Sequence, residues 1–122
     1  MVFIIGGKAQ GKLDYALQTF FKGRMPDEHA RGGAASPEDL SEAVLISDLQ
    51  EYIRRYQKNG HCELPAFRRD AVVLCEETGS GVIPMEQAER DFREAVGRAG
   101  CRIAAQADRV IVLRFGIPQR IK

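Results

Sequence analysis

The residues best equipped for chemistry stand near the start of the chain. Gly6-Gly7-Lys8-Ala9-Gln10-Gly11-Lys12-Leu13 follow a short apolar run, Val2-Phe3-Ile4-Ile5. A strand that delivers the chain into a glycine-rich turn lets bare backbone N–H groups converge on an anion. A helix that opens at the end of such a turn adds the positive end of its dipole. A lysine at the place of Lys12 brings a point charge to the β- and γ-phosphates of a nucleotide. Residues 6–13 are therefore the candidate nucleotide-binding set, with Lys12 as a candidate catalytic group. The residue after that lysine is ordinarily a serine or threonine that helps to hold Mg²⁺. Here it is Leu13, which cannot ligate a hard cation and instead fits the apolar stripe of the helix that follows. Mg²⁺ thus loses its usual protein ligand, and a glycine-rich turn without a ligand stays open as the plainer reading.

Further candidates are spread along the chain. Glu77 is the second candidate catalytic residue, able to bind a metal through water or to orient a hydroxyl; a solvated loop carboxylate is the alternative. Its neighbour Glu76 must point to the other side of an extended chain, so the two do not form a paired-carboxylate site. Asp48 is a weak metal candidate. With Glu51 three residues on, it reads better as a capping box for the next helix. His29 would need groups that orient and activate it before it could act as a nucleophile, and a polar loop predicts simple exposure. His61 is expected to be solvated. Arg90, Glu94, Arg98 and Arg102 fall on one helical row, a face that pairs with itself or meets phosphates or a neighbouring subunit.

Elements that would position these groups follow from periodicity. The run 2–5 reads as a strand buried on both faces. Leu13, Leu17, Phe20 and Phe21 mark a helix over 12–22, and residues 23–36 read as a loop. Ser36-Pro37-Glu38-Asp39 opens a short helix, with serine as N-cap and proline at its first position. Residues 43–47 predict a second strand, although one long helix could absorb them. Leu49, Tyr52, Ile53 and Tyr56 give a helix over 48–59 that Gly60 stops. Residues 71–75 are the clearest internal strand. After the turn-rich residues 78–81, Pro84 leads a long helix over about 85–106, whose buried stripe includes Phe92, Val96, Ile103 and Ala107. Gly97 and Gly100 within it imply either the close approach of another backbone or a weak helix. Residues 110–113 and the stretch from Gly116 to Lys122 complete the pattern. Alternating strands and helices predict an α/β fold with a mostly parallel sheet and a C-terminal antiparallel edge hairpin.

Bulk properties bound the rest. At 122 residues the chain has the size of one domain, 1–122. A net charge of +1 gives no whole-molecule field to attract nucleic acid or a membrane surface. The longest apolar runs fall far short of a membrane span, and Gly6-Gly7-Lys8 interrupt anything resembling a signal peptide. Cys62, Cys75 and Cys101 are odd in number and lack metal-binding spacing, so they read as reduced thiols in a cytoplasmic protein.

Taken together, several stretches resemble a known family. The N-terminal Gly-Gly-Lys-Ala-Gln-Gly-Lys, the segment Val72 to Pro84 (VVLCEETGSGVIP), the segment Arg90 to Asp108 (RDFREAVGRAGCRIAAQAD) and the ending Phe115-Gly116-Ile117-Pro118-Gln119-Arg120-Ile121-Lys122 are similar to the adenosylcobinamide kinase/adenosylcobinamide-phosphate guanylyltransferase family of cobalamin biosynthesis. The resemblance covers residues 1–22 and 70–122 well and the middle poorly. It implies a P-loop NTPase-like three-layer domain that binds ATP or GTP and phosphorylates the aminopropanol hydroxyl of adenosylcobinamide. It also implies transfer of GMP through a guanylylated histidine, and assembly as a homo-oligomer, a trimer. Lys12 and the loop glycines match the family's phosphate ligands, and Glu77 matches the glutamate of its Glu-x-Gly-x-Gly loop. Three departures are visible: Leu13, the shortened stretch before residue 44 with only His29 near the place of the histidine, and Gly100-Cys101 where Asn-Gln is usual. An enzyme and a catalytically silent paralogue that binds nucleotide or supports an oligomer both remain open.

Overall fold

A computed structural model describes residues 1–78 and 86–122. The expected turn at 79–81 and the helix lead at Pro84 and Met85 lie outside the described residues. The elements are β1 (Val2–Gly6), α1 (Lys12–Phe20), β2 (His29–Arg31), α2 (Pro37–Glu42), β3 (Leu45–Ser47), α3 (Leu49–Tyr56), β4 (Val72–Glu76), α4 (Gln87–Gln106), β5 (Arg109–Arg114) and β6 (Ile117–Arg120).

The strands form one sheet in the order β2-β3-β4-β1-β5-β6. β1 lies at its centre, paired in parallel with β4 and β5, and β6 returns antiparallel to β5 as the expected edge hairpin. Side chains alternate across the sheet, and each face carries its own cluster. On one face Val2, Ile4, Leu45, Val72, Leu74, Ile111 and Leu113 receive Ala16 and the partly buried Leu13, Leu17, Phe20 and Phe21 of α1 and its end. On the other, Phe3, Ile46, Val73, Cys75 and Val110 meet Leu40 of α2, Leu49, Tyr52 and Ile53 of α3, and Phe92, Val96 and Ile103 of α4. The result is helix, sheet, helix, in three layers. Each fully buried Leu, Ile or Phe adds about 1.5–3 kcal/mol relative to an exposed one, so two covered faces account for the near-continuous apolar strands.

Local chemistry explains the boundaries. Ser36 caps α2 through a complete capping box with Asp39, and Pro37 fills the first turn, as expected. The expected box at Asp48 does not form. Asp48 is left-handed, with φ 52°, and its side chain makes no cap hydrogen bond; its backbone carbonyl accepts from Glu51 N–H instead. β2 is a strand inside the stretch expected to be loop, and its three residues pair with β3. Among the described residues Gly97 and Gly100 approach no other backbone: a Cβ on either would meet nothing there within 4 Å. Tyr52 faces inward, and Phe67 is partly buried. Tyr52 is 2% exposed, and Phe67 packs on the same core cluster.

Candidate active site

Every strand that runs parallel to β1 ends on the same edge of the sheet, and loops at that carboxyl edge are where open α/β sheets bind ligands. Residues 7–11 leave β1 there and turn into α1. Ala9 and Gly11 take positive φ values of 59° and 86°, which coil the loop back on itself. Gly6 is needed for a different reason. A Cβ there would lie 2.7 Å from the Leu113 carbonyl of β5, so only glycine lets the centre of the sheet close at this point.

Lys12 folds over the loop, its Nζ donating to the carbonyls of Gly6 at 3.1 Å and Gly7 at 2.8 Å. That grip places a cation at the mouth of the glycine-rich turn. Leu13 is partly buried against the cluster beneath α1, which is the packing reason for an apolar residue where a hydroxyl is customary. The backbone N–H of Glu77 donates to the Gly6 carbonyl at 2.9 Å, so Glu77 begins beside the loop, and its side chain is exposed.

A cleft of about 450 Å³ opens on the β3 side of this loop, lined by Gln10, Lys12, His29, Arg31, Ser47 and Asp48 among others. His29, expected to be exposed in a polar loop, instead has its Nε2 2.9 Å from Ser47 Oγ across the β2–β3 pairing. Burial, and after it the nearby Arg31, hold the His29 pKa below its ordinary value, against an opposing pull from Asp48. A neutral imidazole in contact with a hydroxyl is able to take up a proton.

Asp48 belongs to a network that spacing alone does not reveal. Gln50, 4% exposed, donates from Nε2 to Asp48 Oδ1 and to Glu76 Oε2, each at 3.3 Å, while its Oε1 accepts from the Glu76 N–H at 2.9 Å. This one amide joins the start of α3 to the end of β4. No spacing marks Gln50 in the sequence; its burial beside Leu49, Tyr52 and Ile53 is visible only in the fold.

Leu13 has no side-chain oxygen, the cleft near Lys12 is lined by two carboxylates, Asp14 and Asp48, and among the described residues no group of three or more His, Cys, Asp or Glu is placed to hold a metal ion. Cys75, in β4, is buried, and burial pushes its thiol up to about 12. The arginine row on α4 is engaged: Arg98 pairs with Glu94 at 2.6 Å, and Arg102 donates to the Cys62 carbonyl.

A three-layer α/β sheet with a glycine-rich, lysine-bearing loop between its central strand and first helix defines the P-loop-like class. The comparison with known families narrows this. The model for "Cobinamide kinase / cobinamide phosphate guanyltransferase" matches residues 33–121, and the chain belongs to that family. It is 39% identical over 97 residues to the "Bifunctional adenosylcobalamin biosynthesis protein CobU" of Salmonella typhimurium, an alignment that takes in 76% of this chain and 49% of that relative. The chain thus spans about half the length of the curated relative it matches. No helix among the described residues is long and apolar enough to cross a membrane.

Proposed function

We propose that this protein binds ATP or GTP through residues 6–13 and transfers a phosphoryl group to a hydroxyl of a cobinamide, as the family description implies. The observation that carries the reading is the Lys12 ammonium, held over the loop by the Gly6 and Gly7 carbonyls at the carboxyl edge of the central strand. Phosphoryl transfer asks a protein mainly to position groups and neutralise charge. The loop N–H groups and Lys12 would do the second. The cleft beside them, with Arg31, Ser47 and His29, would receive the acceptor, and Glu77 would be the acidic group at the loop's other strand.

Isothermal titration of ATP and GTP into the protein, with Mg²⁺ or with chelator, tests the loop. Micromolar binding that is lost in Lys12→Ala is the expected result, with little dependence on Mg²⁺ because Leu13 removes the loop's metal ligand. Unchanged affinity in Lys12→Ala would overturn the assignment. A second reading, a catalytically silent paralogue that binds nucleotide or supports an oligomer, is favoured by Leu13 itself. Turnover of nucleotide in the presence of adenosylcobinamide, abolished by Lys12→Ala, excludes it. Resemblance to the family further suggests a homo-oligomer, a trimer, which sedimentation of the purified protein decides.

A further inference from the structure

The turn between β5 and β6 contains two residues, Phe115 and Gly116, both at positive φ, 53° and 73°. This is the type I′ geometry of tight hairpins, which asks for Asn, Asp or Gly at its first position. A phenylalanine there is strained, because a bulky residue pays to enter the left-handed region. Packing does not compensate: the Phe115 side chain is 86% exposed. A strained residue that the fold neither requires nor buries points toward a ligand.

The position of the turn indicates which ligand. Gln10 of the phosphate loop holds it twice, its Oε1 accepting from the Phe115 N–H at 2.5 Å and its backbone carbonyl from the Gly116 N–H at 3.1 Å. The turn therefore sits against the loop and the start of α1, where Gly116 Cα lies 3.9 Å from the Cβ position of Gly11. The loop consequently has two unlike flanks. Toward β3 it opens on the polar cleft of His29, Arg31, Ser47 and Asp48. Toward β5 it meets the hairpin turn, whose backbone it holds and whose Phe115 side chain is exposed. A nucleotide has the same asymmetry, with an anionic chain at one end and a flat, polarisable base at the other.

We propose that Phe115 is the base platform of the nucleotide site: its ring stacks on the purine of a nucleoside triphosphate whose phosphates lie in the loop. This rests on the phosphate-binding reading of residues 6–13 and extends it to the other end of the ligand. Stacking is indifferent to the exocyclic groups of the base, so ATP and GTP should both be held.

The test compares ATP, GTP and inorganic tripolyphosphate, which has the phosphates but no base, on wild type, Phe115→Asn and Phe115→Trp. Asparagine suits the first position of the turn and removes the ring without disturbing the hairpin. Phe115→Asn is expected to raise the melting midpoint while weakening ATP and GTP on the order of tenfold, with tripolyphosphate affinity unchanged. The chain has no tryptophan, so Phe115→Trp is a single reporter, whose emission should be quenched by the nucleotides and not by tripolyphosphate. Equal losses for all three ligands, no loss for any, or an emission blind to nucleotide would overturn the proposal. So would a Phe115→Asn whose only effect is on self-association, since Ile117 and Ile121 are exposed nearby. If wild type binds neither nucleotides nor tripolyphosphate, the phosphate-loop reading itself falls; binding of tripolyphosphate without preference for nucleotides sinks the platform alone.

Discussion

At the scale of single residues, the clearest consequence concerns His29. Its imidazole is partly buried beside Ser47 and Arg31, and its pKa lies below the ordinary 6.5. Folding therefore favours the neutral form, and the unfolded chain binds the proton more readily. Stability from this group is fully present above about pH 6.5 and is lost as pH falls through that value toward the depressed folded pKa. Denaturant midpoints for wild type and His29→Gln, compared from about pH 8 to about pH 5, should converge as the pH falls. A gap that stays constant or widens on acidification would contradict the assignment. Sequence spacing could not supply this environment, because Ser47 lies 18 residues away and meets His29 only through the β2–β3 pairing. The same limit explains Asp48. An Asp three residues before a Glu has the pattern of a capping box, but Asp48 is left-handed and its side chain accepts from Gln50 instead. The turn from β1 into α1 was legible for the opposite reason, since a loop between adjacent elements keeps its residues within eight consecutive positions.

Elements marked by periodicity, a cap or a turn were readable, the short α2, β3 and β6 among them, and β2 was not. β1, β4, β5 and the helices α1, α3 and α4 each carry an apolar run or stripe set by burial. β2 has only Ala30 buried between His29 and Arg31, so nothing in its composition distinguishes an edge strand from the loop around it. What anchors β2 is the first of two glycines that look equivalent in sequence. The Gly32 N–H donates to the Ser47 carbonyl at 2.8 Å, and a Cβ on Gly32 would lie 1.9 Å from the Asp48 carbonyl oxygen. Gly33 has room, the nearest atom to such a Cβ being Glu51 Cβ at 4.0 Å. Gly32→Ala must therefore push β2 away from the start of α3, at a cost of about 1–3 kcal/mol or more. Gly33→Ala should change stability by less than about 0.5 kcal/mol. Urea unfolding of the two variants checks this, and equal effects would mean that the strand end yields easily. Gly32→Ala should also disturb the cleft, because Arg31 and Asp48 flank the forced contact.

For the whole molecule, strand order was the part that sequence could not provide. Alternating elements indicate a parallel sheet, but placing β1 between β4 and β5 depends on pairings some 70 and 107 residues apart, Val2 with Val72 and Val2 with Arg109. That central position has an energetic consequence. The loop at the end of β1 is bonded to β4 through Glu77, is closed against β5 at Gly6 and is tied to the hairpin through Gln10. Ligand energy delivered to the loop is thereby shared by both faces of the sheet, and we expect residues 1–122 to unfold as one cooperative unit. The buried thiols Cys62 and Cys75 serve as internal probes. Labelling of both should follow the loss of helical signal at a single midpoint, while exposed Cys101 reacts in the folded protein. Nucleotide at a hundred times its dissociation constant stabilises the fold by about 2.7 kcal/mol, which for a chain of this size moves the midpoint on the order of 10 °C. Both the thiol and the helix transitions should move together, and neither should move in Lys12→Ala. Separate midpoints, or a shift confined to one probe, would mean that the two faces melt independently and that the central loop does not couple them.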